Sequence, residues 1–286
     1  MWSRQEQKRS APDFPGADLF WTKKEPSVFP RSLRLGASNI DGSTLEYTIA
    51  CPRILGSNVA FVTRPCWYNE DMTGCIPNFE HENRLWANGC RNVAGLDEAG
   101  RGALAGPVVA AAVVIDPDSA DLPLWGELRD SKLLSPRQRA ALAPQIQAAA
   151  HCWAVGAASA QEIDRIGIAA ATRQAMQAAV AGLSPQPQHL LIDWVRLPQV
   201  NITQFSCAKA DQLIVSVAAA SILAKVHRDA LMTALDQFYP VYGFGGHKGY
   251  GAPAHLAALA AHGACTEHRH SFAPIAGTHD LFTEAV

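Results

Sequence analysis

The chain has 286 residues, of which 48% are hydrophobic and 17% are charged, and its formal net charge at pH 7 is −2. These values are typical of a globular protein with one large domain, or one domain and an appendage, and they exclude a bulk polycation. They do not exclude nucleic-acid binding, because a local basic patch or a bound divalent cation would supply positive charge.

From its sequence we expect neither a membrane span nor a secretory signal. Its most apolar stretch, residues 103–115, is too short to cross a bilayer. The first residues lack the apolar segment of a signal peptide. The seven cysteines are scattered, odd in number and never form a C-x-x-C pair, which is typical of a reduced cytoplasmic protein.

The composition of the chain changes near residue 75. Residues 1–75 are rich in Pro, Ser, Asn and Trp and show no clear periodicity, apart from runs at 46–50 and 58–63 that would suit short strands. We predict that residues 1–75 form a poorly structured N-terminal extension, which is disordered or loosely attached, or not translated if Met72 is the true start. Residues 76–286 are predicted to form the folded domain.

Beyond residue 75, short apolar runs alternate with longer segments of helical character. Bounded apolar runs predict strands, and Ser135 followed by Pro136 predicts the start of a helix. The predicted strands cover 91–98, 106–115, 152–159, 188–194 and 201–207, and the predicted helices cover 135–150, 168–183, 210–238 and 251–263. Three early strands followed by alternating strands and helices predict an α/β domain with a mixed sheet covered by helices.

Acidic residues recur at the ends of the predicted strands. Asp97 and Glu98 end the first strand, and Asp193 ends the fourth. Asp211 begins the long helix, where a carboxylate also suits the positive helix end. Functional groups collect at strand ends in α/β sheets, so these carboxylates would converge, repel one another and be stabilised by Mg²⁺ or Mn²⁺. The pattern alone supports equally well four unrelated surface acids, with Asp211 as a plain helix cap.

Several longer motifs follow one another in a fixed order. They are "VAGLDEAGRGALAGPVV" from residue 93, "RDSKLLSPRQRAAL" from 129, "LLID" from 190, "SVAAASILAKVHRD" from 216, "YGFGGHKGYG" from 242 and "HRHSFAPI" from 268. In this order, over about residues 76–275, the chain resembles bacterial ribonuclease HII, the type 2 ribonuclease H family. The resemblance implies that residues 76–286 are a catalytic domain with a ribonuclease H-like mixed five-stranded sheet, flanking helices and a helical C-terminal part.

The resemblance also implies an activity and a metal site. Members of the family cleave RNA in duplexes with DNA, including a single ribonucleotide embedded in DNA, and leave 5′-phosphate and 3′-hydroxyl ends. The four metal-binding acids of the family fall on Asp97, Glu98, Asp193 and Asp211. The expected cofactor is Mg²⁺ or Mn²⁺, with two ions during catalysis. The expected partners are RNA–DNA hybrids and ribonucleotide-containing duplex DNA, without a membrane, and we expect a monomer.

A glycine-rich loop follows the first acidic pair. In the family, the backbone of the loop that corresponds to Gly100, Arg101 and Gly102 reads the 2′-hydroxyl group, which separates RNA from DNA. Arg101 would add a phosphate contact. The same residues also suit a simple tight turn between hairpin strands, and the two interpretations are compatible.

Three more residues are expected at the substrate on the strength of the family alone. Tyr250 corresponds to the residue that stacks under the sugar beside the scissile position. Lys132 and Lys248 would contact phosphates. Taken by themselves, a tyrosine in a glycine-rich loop is more often a packing residue, and a single lysine is ordinarily solvated.

Three positions depart from the family pattern near the third and fourth acids. Trp194 replaces the usual Gly, and Leu213 and Ile214 replace the usual Lys and Ser. These changes would alter substrate affinity, and they leave open a non-catalytic nucleic-acid binder as the alternative function. A different ribonuclease H-like nuclease or integrase is disfavoured, because the glycine-rich loops match type 2 enzymes.

A group of histidines and one cysteine near the C-terminus raises the question of a zinc site. Its members are His262, Cys265, His268 and His270. The segment matches the "HR-x-SF" motif of the family, where no zinc is needed, so we do not predict a zinc site there.

Overall fold

A mixed sheet lies at the centre of the computed structural model, which describes residues 21–23 and 76–277 of the chain. The strands are β1 (Trp21–Lys23), β2 (Val93–Ala99), β3 (Val108–Val114), β4 (Cys152–Ala158), β5 (His189–Asp193) and β6 (Thr203–Cys207). Their order across the sheet is β1-β4-β3-β2-β5-β6. The five predicted strands are confirmed as β2 to β6.

The short strand β1 is the described part of residues 1–75, for which the sequence predicts a poorly structured extension. It pairs antiparallel with β4, with Thr22 opposite Ala154. The strands predicted at 46–50 and 58–63 lie outside the described residues. β1 therefore adds a sixth strand at one edge of the predicted sheet.

The strand directions bring two of the acids to one end of the sheet. β2, β3 and β4 are antiparallel neighbours, whereas β5 runs parallel to β2 and β6 runs parallel to β5. In the pairing of β2 with β5, Leu96 lies opposite Ile192. The next residues, Asp97 and Asp193, therefore lie at the same end of adjacent strands.

Helices cover both faces of this sheet. Those described are α1 (Glu80–Ala87), α2 (Pro123–Gly126), α3 (Pro136–Ala149), α4 (Ala160–Ile166), α5 (Ile168–Ala181), α6 (Val215–Phe238), α7 (Phe244–His247) and α8 (Pro253–His262). The sequence predicts the four longest, α3, α5, α6 and α8, and misses the four shorter ones. No helix in the described part of the chain is long and apolar enough to cross a membrane.

Asp211 does not begin the long helix, so the prediction of a helix over 210–238 is wrong at its start. Ala210–Gln212 form a 3-10 turn, and α6 begins only at Val215. Between them Ile214 has an extended backbone and forms a parallel bridge with Asn78. This pairing with a residue far away in the sequence keeps the chain out of the helical conformation until Val215.

Apolar side chains fill both faces of the sheet. Every residue of β3 is buried, as expected for a central strand that is covered on both sides. One face packs against α5, and the other packs against α3 and α6. At Gly95 in β2, an added Cβ atom would lie 2.2 Å from the carbonyl carbon of Ser216 in α6. The missing side chain thus lets the start of α6 contact β2 two residues before Asp97.

Helix α3 begins with the cap that its sequence predicts. Ser135 Oγ accepts a hydrogen bond from the Gln138 N–H at 3.3 Å, and Gln138 Oε1 accepts one from the Ser135 N–H at 2.9 Å. Ser135→Ala should lower the free energy of unfolding by about 1 kcal/mol, because a first-turn N–H loses its acceptor. Urea unfolding measures this change. Ser135→Asp keeps an acceptor and should stay near wild-type stability, and equal losses in the two variants would contradict the assignment.

Candidate active site

Four acidic residues from three elements meet at one end of the sheet. Asp97 and Glu98 lie at the end of β2, beside Asp193 at the end of β5. Asp193 Oδ1 accepts a hydrogen bond from the Ala210 N–H at 2.8 Å, which binds the 3-10 turn of Asp211 to the end of β5. The structure thus brings together the four acids that the sequence singles out.

Burial and mutual repulsion raise the pKa values of these carboxyls. Asp97 is 5% exposed, and burial, followed by the charges of Glu98 and Asp193, raises its pKa well above the ordinary value. Burial also raises the pKa values of Glu98 and Asp193. The pKa of Asp211 rises to about 6, again chiefly through burial. The cluster therefore holds negative charge at a free-energy cost that a cation would relieve.

Two basic side chains border the cluster. Lys132 Nζ lies 3.5 Å from Asp211 Oδ2 and 3.6 Å from Asp130 Oδ1. Arg101 Nη1 lies 3.4 Å from Glu98 Oε1. Because 79% of the Lys132 side chain is exposed, its two ion pairs are weak.

Asp130 is a residue of the site that the motif analysis does not single out. It is 6% exposed, and its Oδ2 atom accepts a hydrogen bond from Gln212 Nε2 at 3.0 Å. Since Gln212 follows Asp211, this bond ties the 3-10 turn to the segment before α3. The sequence could have indicated Asp130, because it lies in the "RDSK" motif two residues before Lys132.

The donor set suits a hard divalent cation, although the side chains do not form a ready-made cage. Within the described residues, no group of three or more His, Cys, Asp or Glu is arranged so that it could hold a metal ion. The chemistry fits, because the four donors are carboxylates and the buried Oε2 atom of Glu98 has no hydrogen-bond partner in the described part of the chain. In this arrangement Glu98 Oε1 pairs with Arg101 and Asp211 Oδ2 pairs with Lys132.

The glycine-rich loop after β2 contains two glycines with different surroundings. Gly100 has a φ of +94°, and a Cβ atom there would lie 1.9 Å from Arg228 Nε. At Gly102, an added Cβ atom would meet no other atom within 4 Å. The protein itself thus requires glycine at position 100, whereas the space beside Gly102 is open to a ligand.

Two fully buried arginines hold this loop, and the sequence motifs predict neither of them. Arg269 donates a hydrogen bond to the carbonyl oxygen of Gly100 at 2.7 Å. Arg228 donates to the carbonyl oxygens of Ala105 at 3.1 Å and Lys248 at 3.0 Å. Arg228 therefore joins the glycine-rich loop to the segment that follows α7. The sequence around Arg228 gives no signal of this role, because its neighbours His227 and Asp229 are polar as well.

Tyr250 lies on the segment that follows α7, with 37% of its surface exposed. Its ring centre lies 5.3 Å from Arg228 Cζ and 5.6 Å from Lys225 Nζ, so two cations help to fix the ring. Lys248 Nζ donates to Thr233 Oγ1 at 2.8 Å. The ammonium group of Lys248 would have to leave this bond to reach a phosphate.

The three positions that depart from the family pattern have different environments. Trp194 is 65% exposed and has a φ of 60°, a conformation that favours glycine. Leu213 is partly buried and Ile214 is fully buried in an apolar cluster beside the start of α6. The change at Ile214 thus adds packing, whereas Trp194 places a large exposed side chain beside Asp193.

The histidines near the C-terminus make contacts among themselves. His268 Nε2 lies 3.0 Å from His255 Nε2, and His268 Nδ1 accepts a hydrogen bond from the Cys265 N–H at 3.0 Å. Burial lowers the pKa of His268 to about 4, so its ring is neutral at pH 7. These bonds give the two buried histidines a packing role beneath the Tyr250 segment, whose carbonyl oxygen at Tyr250 lies 2.9 Å from His255 Nδ1.

Comparison with known proteins shows that this chain is similar to ribonucleases. The profile of the family described as Ribonuclease HII matches residues 94–275. The ribonuclease HII of Acidovorax sp. (strain JS42) is 53% identical over 184 residues, which are 64% of this chain and 86% of that protein. The ribonuclease HII of Geobacillus thermodenitrificans (strain NG80-2) is 52% identical over 195 residues, which are 68% of this chain and 73% of that protein.

Two solved structures share the fold. The ribonuclease H2 of Pyrococcus horikoshii OT3 aligns with a TM-score of 0.56 and 26% identity, over 67% of this chain and 99% of that one. A chain of the PCNA:RNase HII complex from Archaeoglobus fulgidus aligns with a TM-score of 0.50 and 28% identity, over 62% of this chain and 91% of that one. The aligned fraction of each solved chain shows that the shared fold spans nearly all of it.

Proposed function

Since the chain belongs to the ribonuclease HII family and is an endoribonuclease of the ribonuclease H type, we propose that it cuts both RNA–DNA hybrids and single ribonucleotides embedded in duplex DNA. Cleavage would leave 5′-phosphate and 3′-hydroxyl ends. The observation that carries the proposal is the convergence of Asp97, Glu98, Asp193 and Asp211 at one end of the sheet, with pKa values raised by burial.

These four carboxylates would hold Mg²⁺ or Mn²⁺, with two ions during catalysis. When bound, such ions activate a water molecule and stabilise the leaving oxygen of a phosphodiester. The side chains of the chain itself have two further tasks. Glu98 and Asp211 would help to hold the cation, and Arg101 and Lys132, which lie beside them, would bind phosphates of the substrate.

Selection of the ribonucleotide is assigned to the glycine-rich loop and to Tyr250. The open space beside Gly102 would let the sugar approach the main chain, which would read the 2′-hydroxyl. Arg269 supports this role by fixing the loop through the carbonyl oxygens of Gly100 and Arg101. Tyr250, held by Arg228, would stack under the neighbouring sugar. Lys248 would reach a phosphate after leaving Thr233.

A cytoplasmic, monomeric enzyme is the form that we propose. The four described cysteines, Cys90, Cys152, Cys207 and Cys265, are free thiols, as is usual in a reducing compartment. Burial raises the pKa values of Cys152, Cys207 and Cys265 to about 11, so these thiols are unreactive at neutral pH.

A gel assay on one duplex design tests the proposed function. A DNA duplex with one ribonucleotide should be cut beside that nucleotide in Mg²⁺ or Mn²⁺, and not in EDTA. The same duplex with a 2′-deoxy or 2′-O-methyl sugar at that position should resist cleavage, because the loop has no 2′-hydroxyl to bind. Equal cutting of the all-DNA duplex would contradict the role of the loop. Tight binding without cutting in either metal would favour the non-catalytic alternative.

A further inference from the structure

A buried carboxylate outside the matched region reaches the start of α6. Glu82 lies on α1, upstream of residues 94–275, and is 1% exposed. Its Oε1 atom accepts a hydrogen bond from the Ser216 N–H at 2.9 Å. Its Oε2 atom is buried and has no hydrogen-bond partner among the described residues.

A buried carboxylate with one unpaired oxygen lowers the stability of the folded protein. Burial raises the pKa of Glu82 to about 7, because a carboxylate away from water loses its hydration. The first N–H groups of a helix need acceptors, and the residue before α6, Ile214, has no side chain that accepts one. Glu82 on α1 therefore caps the N-terminus of α6. The dipole of α6 also favours a negative group at this end.

The capped peptide lies between two of the acidic residues. On one side, Ser216 contacts β2 so closely that a Cβ atom at Gly95 would lie 2.2 Å from its carbonyl carbon. Gly95 precedes Asp97 by two residues, and Ser216 follows Asp211 by five. On the other side, Glu82 binds the N–H of the same residue. The position of Asp211 relative to Asp97 therefore depends on the Ser216 peptide, which Glu82 holds in place.

Asn78, which lies four residues before Glu82, also holds the chain at the start of α6. The Asn78 N–H donates to the carbonyl oxygen of Leu213 at 3.0 Å, and the Val215 N–H donates to the carbonyl oxygen of Asn78 at 3.4 Å. Residues 78–82 therefore hold the chain on both sides of Ile214, between the 3-10 turn and α6.

We propose that Glu82 is a positioning residue for cleavage, which holds the start of α6 against β2 and thereby sets the place of Asp211 relative to Asp97. The inference rests on the proposed function, since it assigns Asp97 and Asp211 to one metal site. It extends the functional unit to α1, a helix that lies outside the region matched by the family profile.

The decisive variant is Glu82→Met in the full chain. Methionine keeps the length and packing of the side chain but accepts no hydrogen bond from Ser216. The variant removes a buried charge, which is often neutral or stabilising, but it leaves the Ser216 N–H without an acceptor, so the two effects oppose each other and the melting temperature should change little. We expect kcat on the single-ribonucleotide duplex to fall roughly 10–100-fold, as is usual when the support of a metal ligand is lost, with KM changed less than about twofold. The Mn²⁺ dissociation constant, measured by calorimetry without substrate, should rise by a similar factor.

Two matched variants separate positioning from general effects of substitution. Glu82→Gln keeps an acceptor for the Ser216 N–H and should restore kcat and Mn²⁺ affinity to within about threefold of wild type. Glu80→Gln lies on the same helix, where the side chain is exposed and pairs with Arg84, and should change neither quantity. A folded Glu82→Met protein with wild-type kcat and Mn²⁺ affinity would overturn the inference. If the wild-type chain fails to cut the duplex, the proposed function fails, and the Mn²⁺ titration still decides the role of Glu82.

Discussion

Asp97→Asn should lower the cleavage rate by about 10³-fold without unfolding the protein. The variant removes one negative donor from the centre of the acidic cluster, and metal ions supply several kcal/mol to reactions of this type. Asn keeps an oxygen that can accept the hydrogen bond which the Glu98 N–H now donates to Asp97 Oδ1 at 2.7 Å. Because repulsion from Glu98 and Asp193 disappears, the free energy of unfolding without divalent cations should rise by about 1 kcal/mol.

Single-turnover cleavage of the ribonucleotide duplex and urea unfolding in EDTA measure the two effects. Asp118→Asn is the matched control, because Asp118 pairs with Arg91 at 3.0 Å, has 83% of its side chain exposed and lies outside the cluster. The control should cleave at the wild-type rate. Cleavage by the Asp97 variant near that rate, in saturating Mg²⁺ or Mn²⁺, would contradict the assignment of the site.

The two loop glycines should respond to valine in opposite ways. Gly100→Val should lower the free energy of unfolding by about 3 kcal/mol or more, because the side chain would meet Arg228 in a backbone conformation that valine avoids. Gly102→Val should leave the free energy of unfolding unchanged, since no atom lies within 4 Å of a Cβ atom added at this position. It should nevertheless lower kcat/KM by about 10²-fold, because the valine would occupy the space that the sugar needs.

Thermal unfolding and steady-state cleavage of both variants give this comparison. Gly102→Ala is the graded control, and it should lose less kcat/KM than the valine variant. Wild-type kcat/KM for Gly102→Val would show that the substrate does not approach this part of the loop.

Much of the sheet and of the acidic cluster is predictable because the signals are local. β3 is apolar throughout, as a strand covered on both faces must be, and Ser135 is followed by Pro136 and by Gln138 at the third helical position. Asp97 and Asp193 each end an apolar run, and parallel pairing of those runs is enough to bring them together. These features depend on a few consecutive residues.

The remaining features depend on partners that are distant in the sequence. The late start of α6 follows from the bridge between Ile214 and Asn78, which lie 136 residues apart in the sequence. Glu82 on α1 and Arg228 within α6 give no local sign of their roles, because a charged residue on a helix is ordinarily solvated. Their partners, Ser216 and Ala105, become evident only when the helices have packed on the sheet.

The two buried arginines beneath the glycine-rich loop also shape the electric field of an acidic protein. In the described part of the chain, neither Arg228 nor Arg269 lies within ion-pair distance of a carboxylate, and both donate to carbonyl oxygens instead. Burial, and then the charge of Arg228, lowers the pKa of Arg269 to about 9, so Arg269 remains cationic at pH 7. Burial also lowers the pKa of Arg228. Counter-ions screen buried charges much less than surface charges, whose influence fades over about 8 Å at physiological ionic strength. If the loop binds a phosphate backbone as proposed, that binding should weaken less with added salt than the binding of phosphates by exposed lysines such as Lys132.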